Sequence, residues 1–173
     1  SVPEVFNNYA KQYKTGRPMP KALKEKMLES LNFHSAYALG ENLAATCLDL
    51  AWHSSSATLL PTAESAADFQ ALALQNYGLL DEQRPPRYGT SYFNHVWGGG
   101  YATGYYSYLW SEVLAVNVAD FFRKHGFLNP KVGAAFRKEI ISRGNTDEPM
   151  TMFTKFTGLK SPDAKAILKA RGL

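Results

Sequence analysis

The stretch Tyr105–Phe122, YYSYLWSEVLAVNVADFF, decides the fold class. It is apolar or aromatic almost throughout, broken mainly by Ser107, Ser111, Glu112, Asn117 and Asp120. As a helix its 18 residues would be about 27 Å long. Apolar character on most sides predicts a helix buried in the body of a larger protein. Lys124, His125 and Gly126 supply its C-terminal end.

Working outward, the neighbouring segments also carry helical signals. Upstream, Ser91–Gly104 is dense in glycine, and Leu79–Thr90, with Pro85-Pro86, reads as a loop. Phe69, Leu72, Ala73 and Tyr77 form a stripe that Gly78 stops. Thr62 is a candidate N-cap for that helix and Glu64 a first-turn acid. A long helix is expected from about Phe33 to Trp52. Another starts at Lys21, where Leu23, Met27, Leu28 and Leu31 recur at three and four residues. Thr15-Gly16-Arg17-Pro18-Met19-Pro20 breaks that helix from a short one within Val2–Tyr13. Downstream, Val132, Phe136, Ile140 and Ile141 share a face of Pro130–Arg143, and Met150, Phe153 and Phe156 mark a short helix. Ser161-Pro162-Asp163 signals a last start. No strand, hairpin or repeat is visible. The expectation is an all-α chain of roughly six to eight helices.

Composition sets the outer bounds. The 173 residues are 45% apolar and 20% charged, which argues against disorder and fits one domain, or one with a small annex. The lone cysteine, Cys47, excludes an internal disulfide and hence a disulfide-built scaffold. A net charge of +4 does not demand a polyanionic partner. The basic stretch from Lys11 to Lys26 is interrupted by Glu25 and reads as a solvated helix face, so no nucleic acid is expected. No apolar run reaches the roughly 18 residues of a membrane span, and no signal peptide opens the chain, so no membrane is expected. A reducing setting, cytoplasmic or mitochondrial, is compatible with that. Ser1 in place of methionine reads as the start of a processed or excised chain.

The aromatic residues are unevenly spread: eleven of the 23 lie between Tyr88 and Phe122. Within that span, His95-Val96-Trp97-Gly98-Gly99-Gly100-Tyr101-Ala102-Thr103-Gly104-Tyr105-Tyr106-Ser107-Tyr108 combines three adjacent glycines with four tyrosines. Such glycines let a backbone approach a ligand closely and let a loop change shape. Phenol hydroxyls stay neutral at pH 7 and donate hydrogen bonds, so they can stabilise a developing oxyanion in acyl transfer. Residue types alone equally fit a tight loop feeding an aromatic core helix, since aromatic stripes usually mean core. If Gly104 opens the helix, Tyr105 and Tyr108 share a face.

The run Phe93–Glu112, FNHVWGGGYATGYYSYLWSE, resembles the region downstream of the zinc motif in the thimet oligopeptidase family of zinc metallopeptidases, and within it the peptidyl-dipeptidases and oligopeptidase A most. Tyr13–Pro20 is similar to that family's "Y-x-T-G-x-P-x-P" stretch. Phe136-Arg137 with Ile141–Asn145, and the Arg171-Gly172-Leu173 ending, are similar to its C-terminal part. The resemblance spans essentially the whole chain. It implies a multi-helix C-terminal subdomain, with a substrate-binding loop at about residues 91–108, of a peptidase that cleaves short peptides. It further implies that Tyr108 donates to the scissile carbonyl oxygen as it becomes an oxyanion. His95 and Tyr101 would hold the substrate, with Tyr105, Gly99 and Gly100 as further contacts.

One part of that family's machinery is not in this sequence. Its zinc site needs H-E-x-x-H on a helix. The four histidines here, His34, His53, His95 and His125, are never followed by Glu, and no two are four apart. The resemblance therefore implies zinc in the complete enzyme, none bound by this chain, and an N-terminal zinc-bearing portion as its partner. The chain alone should be inactive. The competing reading is a non-catalytic helical module that binds peptides or another protein. His34 and His53 read as core or helix-end residues, His125 as a last-turn residue facing the helix dipole, and Cys47 as a small buried hydrophobe. No G-x-S-x-G and no phosphate-binding loop occur.

Overall fold

The computed structural model describes residues 2–56 and 61–173. Ser1 therefore lies outside the described residues. In chain order the elements are α1 (Pro3–Tyr9), α2 (Lys21–Ser30), α3 (Ser35–Ser54), α4 (Ala66–Asn76), α5 (Asn94–Trp97), α6 (Ser107–His125), α7 (Pro130–Glu139), α8 (Pro149–Thr157) and α9 (Lys165–Ala170). All but α5, a single turn, have six residues or more, and short 3-10 turns cover Thr90–Tyr92 and Ile141–Arg143. The only bridge recorded among the described residues is the isolated Lys11–Pro18 pair, so the class is all-α as expected. None of these helices is long and apolar enough to cross a membrane. The chain forms two compact units, Ser1–Phe33 with Ser111–Leu173, and His34–Trp110.

The His34–Trp110 unit is organised by α3, which buries two adjacent stripes. Ala44 and Leu48, four apart, pack with Ala73 and Leu74 of α4, flanked by Trp52 and Phe69. Ala45, one residue on, packs with Phe93, Val96 and Tyr105. Small residues at 44 and 45 bring both sets of partners close to the helix; both alanines are fully buried. The helix starts at Ser35 rather than Phe33 because His34 takes a left-handed backbone, φ +57. It ends where Ser54 and Ser55 donate their hydroxyls to Leu50 and Ala51 carbonyls four residues back. In α4 the first helical residue is Ala66, not the turn at Thr62, whose N–H donates to Ser65 Oγ. Gly78 ends α4 with φ +66.

The other unit has an aromatic core. Phe156 of α8 meets Phe121, Phe122 and Phe136, with ring centroids 4.7, 5.7 and 5.2 Å away. Buried Asn117 ties α6 to the approach to α9: its Nδ2 donates to Asp163 O, and its Oδ1 accepts from Asp163 N–H. Asp163 Oδ1 in turn accepts from Lys165 N–H at the start of α9. Arg171 donates twice to Glu112, at 3.0 and 2.6 Å. Along α6 only Val113 and Asn117 are buried, while Tyr108 and Trp110 are 43% and 45% exposed. The apolar helix thus buries one stripe, at Val113 and Asn117, and leaves aromatic side chains near its start exposed.

Candidate functional site

The described site lies wholly within the His34–Trp110 unit and is built on Phe93. This side chain is fully buried, stacks on Tyr88 with centroids 5.3 Å apart, and meets Tyr105 edge-on at 4.9 Å. On that base α5 presents His95. Trp97 at the end of α5 donates its indole N–H to Thr90 O, and Trp52 donates to Thr90 Oγ1. Gln70 of α4 accepts from both the N–H and the hydroxyl of Thr90, so the entry to the loop is pinned from two helices.

The glycines follow at once. Gly98 and Gly99 N–H groups both donate to Asn94 O at 2.9 Å. A Cβ on Gly99 would sit 2.9 Å from His95 O, so only glycine fits that close turn. Gly100 has φ +78 with open space around it. Tyr101 N–H then returns to His95 O at 3.0 Å, which folds the tyrosine back over the histidine.

The structure brings His95, Tyr101, Tyr105 and Tyr108 together. The His95 ring centroid lies 6.0 Å from Tyr101, 5.6 Å from Tyr105 and 6.4 Å from Tyr108. Tyr101 and Tyr108 stack at 5.4 Å, and Tyr105 lies 5.1 Å from Tyr108. Tyr88, which the sequence did not single out as a site residue, completes the cluster 4.7 Å from His95. Tyr101 and Tyr108 are exposed, His95 is half-buried and Tyr105 is 3% exposed. The cluster therefore offers solvent two phenols and part of an imidazole, with Tyr105 packed inside.

Electrostatics strengthen the hold of Tyr108 and Tyr105 on their protons. A hydrogen bond with Tyr101, with burial second, holds the Tyr108 hydroxyl well above its ordinary value, pushed up to about 12. Burial first, and the neighbouring Tyr88 next, push Tyr105 upward. Both remain proton donors throughout the physiological range.

A residue that sequence reasoning passed over anchors the loop from below. Asp49 of α3 is fully buried. Its Oδ1 accepts from Thr103 N–H and its Oδ2 from Tyr105 N–H, each at 3.0 Å. His53 Nδ1 lies 2.9 Å from the same carboxylate. The available signal was an Asp and a His four apart within an otherwise apolar helix stretch.

The remaining candidates are scattered. His34 opens α3, His125 stands in the last turn of α6 against Phe121, and Cys47 is half-buried, its thiol pushed up by burial. Among the described residues no three His, Cys, Asp or Glu side chains come together to hold a metal ion. The donor set of a hydrolytic zinc site is therefore not one these residues fit.

The sequence model of Peptidase family M3 matches residues 1–173. The dipeptidyl carboxypeptidase of Escherichia coli (strain K12) is 37% identical over 171 residues, covering 99% of this chain and 25% of that protein. Oligopeptidase A of the same strain is 34% identical over 177 residues, covering 99% and 25%. The organellar oligopeptidase A (chloroplastic/mitochondrial) of Arabidopsis thaliana is 30% identical over 174 residues, covering 98% and 22%. The chain thus spans about a quarter of the length of the curated relatives it matches.

Proposed function

Since the chain belongs to peptidase family M3, we propose that it is the substrate-binding and oxyanion-stabilising part of a zinc-dependent peptidase that cleaves short peptides, a peptidyl-dipeptidase by its likeness to the dipeptidyl carboxypeptidases. The observation that carries this reading is the convergence of His95, Tyr101 and Tyr108 on one exposed cluster behind a glycine turn. In this reading the chain is the C-terminal part of the peptidase, and its partner is an N-terminal portion that bears the metal. The setting is cytoplasmic or mitochondrial.

The chemistry assigned to this chain is binding and proton donation. A peptide in extended form lies against the Tyr101 ring and accepts a hydrogen bond from His95. Its scissile carbonyl oxygen accepts a hydrogen bond from the Tyr108 hydroxyl. As the carbonyl carbon becomes tetrahedral, negative charge collects on that oxygen and the bond from Tyr108 strengthens. Tyr108 keeps its proton because a phenol stays neutral at pH 7. Gly99 and Gly100 let the backbone of the loop follow the peptide.

The test is hydrolysis of a quenched peptide by the purified chain with added zinc, with and without a chelator. No turnover is expected, because the sequence lacks H-E-x-x-H and no three His, Cys, Asp or Glu side chains come together among the described residues. Chelator-sensitive turnover by the chain alone would overturn the division of labour. Peptide binding that survives chelation and is lost in Tyr101→Phe, with no hydrolysis after the chain is joined to a metal-bearing portion, would favour the non-catalytic module.

A further inference from the structure

We propose that Asp49 is the positioning residue of the glycine–tyrosine loop: its carboxylate, buried on α3, grips the backbone at Thr103 and Tyr105 and thereby sets where Tyr101 and Tyr108 stand. This rests on the reading of those two tyrosines as the groups that meet a peptide.

The first observation is the placement of the charge. Asp49 is fully buried, next to Ala45 and Leu48, which are themselves fully buried. A carboxylate in such surroundings is tolerated only when hydrogen bonds satisfy it. Both oxygens are satisfied from the same loop, Oδ1 by Thr103 N–H and Oδ2 by Tyr105 N–H. The fork straddles Gly104, whose own N–H donates to Tyr101 O at 2.7 Å. The carboxylate therefore spans the bend between the two halves of the site.

The second observation is independent. Thr103 has φ +59, in the left-handed region, although glycine is its next neighbour and Gly104 is not left-handed. A β-branched residue resists that conformation, and it persists only where the surroundings impose it. Here the hydrogen bond to Asp49 Oδ1 and the Thr103 hydroxyl bond to Ala102 O hold it. A bend at 103 turns the chain so that Tyr101 and Tyr108, seven residues apart, stack at 5.4 Å.

His53 completes the device. Its Nδ1 lies 2.9 Å from Asp49 Oδ1 and equally 2.9 Å from Asp49 O, and its ring lies 5.4 Å from Trp97. It meets the same carboxylate oxygen, Oδ1, that accepts from Thr103 N–H. A buried polar network of this kind specifies one conformation more than it adds stability.

The test reads loop order and hydrolysis separately. Amide hydrogen exchange is followed by NMR on the full 173-residue chain and on Asp49→Asn. Asparagine keeps one acceptor oxygen and places an NH2 group where the second was. Exchange at Thr103 or Tyr105 should quicken about 10-fold or more, while Ala73 and Leu74 of α4 keep their rates. Adding Thr103→Asn, a residue type that takes positive φ more readily, should restore much of the lost protection. Equal acceleration at all amides, or none at the two loop amides, overturns the proposal. Should Asp49→Asn fail to fold, through-hydrogen-bond couplings from the 15N of Thr103 and Tyr105 to the Asp49 carboxylate carbon decide on the unsubstituted chain, and their absence overturns it. Hydrolysis is read in a hybrid in which this chain replaces its matching segment in the Escherichia coli dipeptidyl carboxypeptidase. There Asp49→Asn should lower kcat about 10-fold or more, with partial rescue by Thr103→Asn. A loosened loop with unchanged kcat overturns the positioning role. A hybrid in which Tyr108→Phe changes nothing overturns the functional reading instead, and leaves the exchange result standing.

Discussion

The rings of Tyr101 and Tyr108 lie nearly parallel, centroids 5.4 Å apart and planes 19° apart, and the Tyr101 hydroxyl is the first cause that raises the hold of Tyr108 on its proton. That pairing has a consequence in pH. The folded chain holds the Tyr108 proton up to about 12, against an ordinary value of 10. The stabilisation this gives is complete below pH 10 and is lost as pH rises through about 12. Absorbance titration at the tyrosinate band should therefore show one late step that Tyr108→Phe removes. Tyr101→Phe should move that step down towards 10. A titration curve that neither variant alters would show that Tyr101 does not raise the hold of Tyr108 on its proton.

The glycine turn gives a second prediction, because neighbouring glycines are needed for different reasons. A Cβ at Gly99 would press on His95 backbone atoms at 2.9 and 3.0 Å, whereas one at Gly100 meets nothing but has φ +78. Gly100→Ala should cost about 1–2 kcal/mol from backbone strain alone and leave His95 in place. Gly99→Ala should displace His95, read as a change in its imidazole NMR shifts, and weaken peptide binding more than Gly100→Ala does. Equal effects on His95 from both would contradict this.

The two buried stripes of α3 should be separable by mutation. Leu48→Ala empties the contact with Ala73 and Leu74 and should cost about 2–5 kcal/mol in chemical unfolding. Phe93→Ala should cost about 3–5 kcal/mol. Phe93→Ala should also erase the near-ultraviolet circular dichroism of the Tyr88–Phe93–Tyr105 cluster, which Leu48→Ala spares. Identical spectra in the two variants would argue against two stripes.

Much of this was legible in the sequence because it is local. Glycine and proline punctuation located the breaks at Gly16, Gly78 and Gly126, all of which take positive φ. The proximity of His95, Tyr101, Tyr105 and Tyr108 was readable because all four belong to one short run of chain: α5, the loop after it and the first turn of α6. Helix starts were harder. Ser65 rather than Thr62 closes the turn before α4, and Asp163 rather than Ser161 receives the first N–H of α9, since several small polar residues compete for one cap. Asp49 was not legible for a different reason: its partner amides lie 54 and 56 residues away, and its neighbours Leu48 and Leu50 disguise it as an ordinary helical position. The bend at Thr103 was hidden as well, because an Ala-Thr-Gly triplet suggests that glycine takes the left-handed place.

In the proposed function Tyr108 gives its hydrogen bond to the oxygen that becomes negative during peptide cleavage. The decisive measurement is kcat and KM for a quenched peptide in the hybrid that carries this chain within the Escherichia coli dipeptidyl carboxypeptidase, with and without Tyr108→Phe. A fall in kcat of about 10²–10³-fold with KM nearly unchanged is expected, because the bond matters only in the transition state. A kcat equal to that of the unsubstituted hybrid would contradict it.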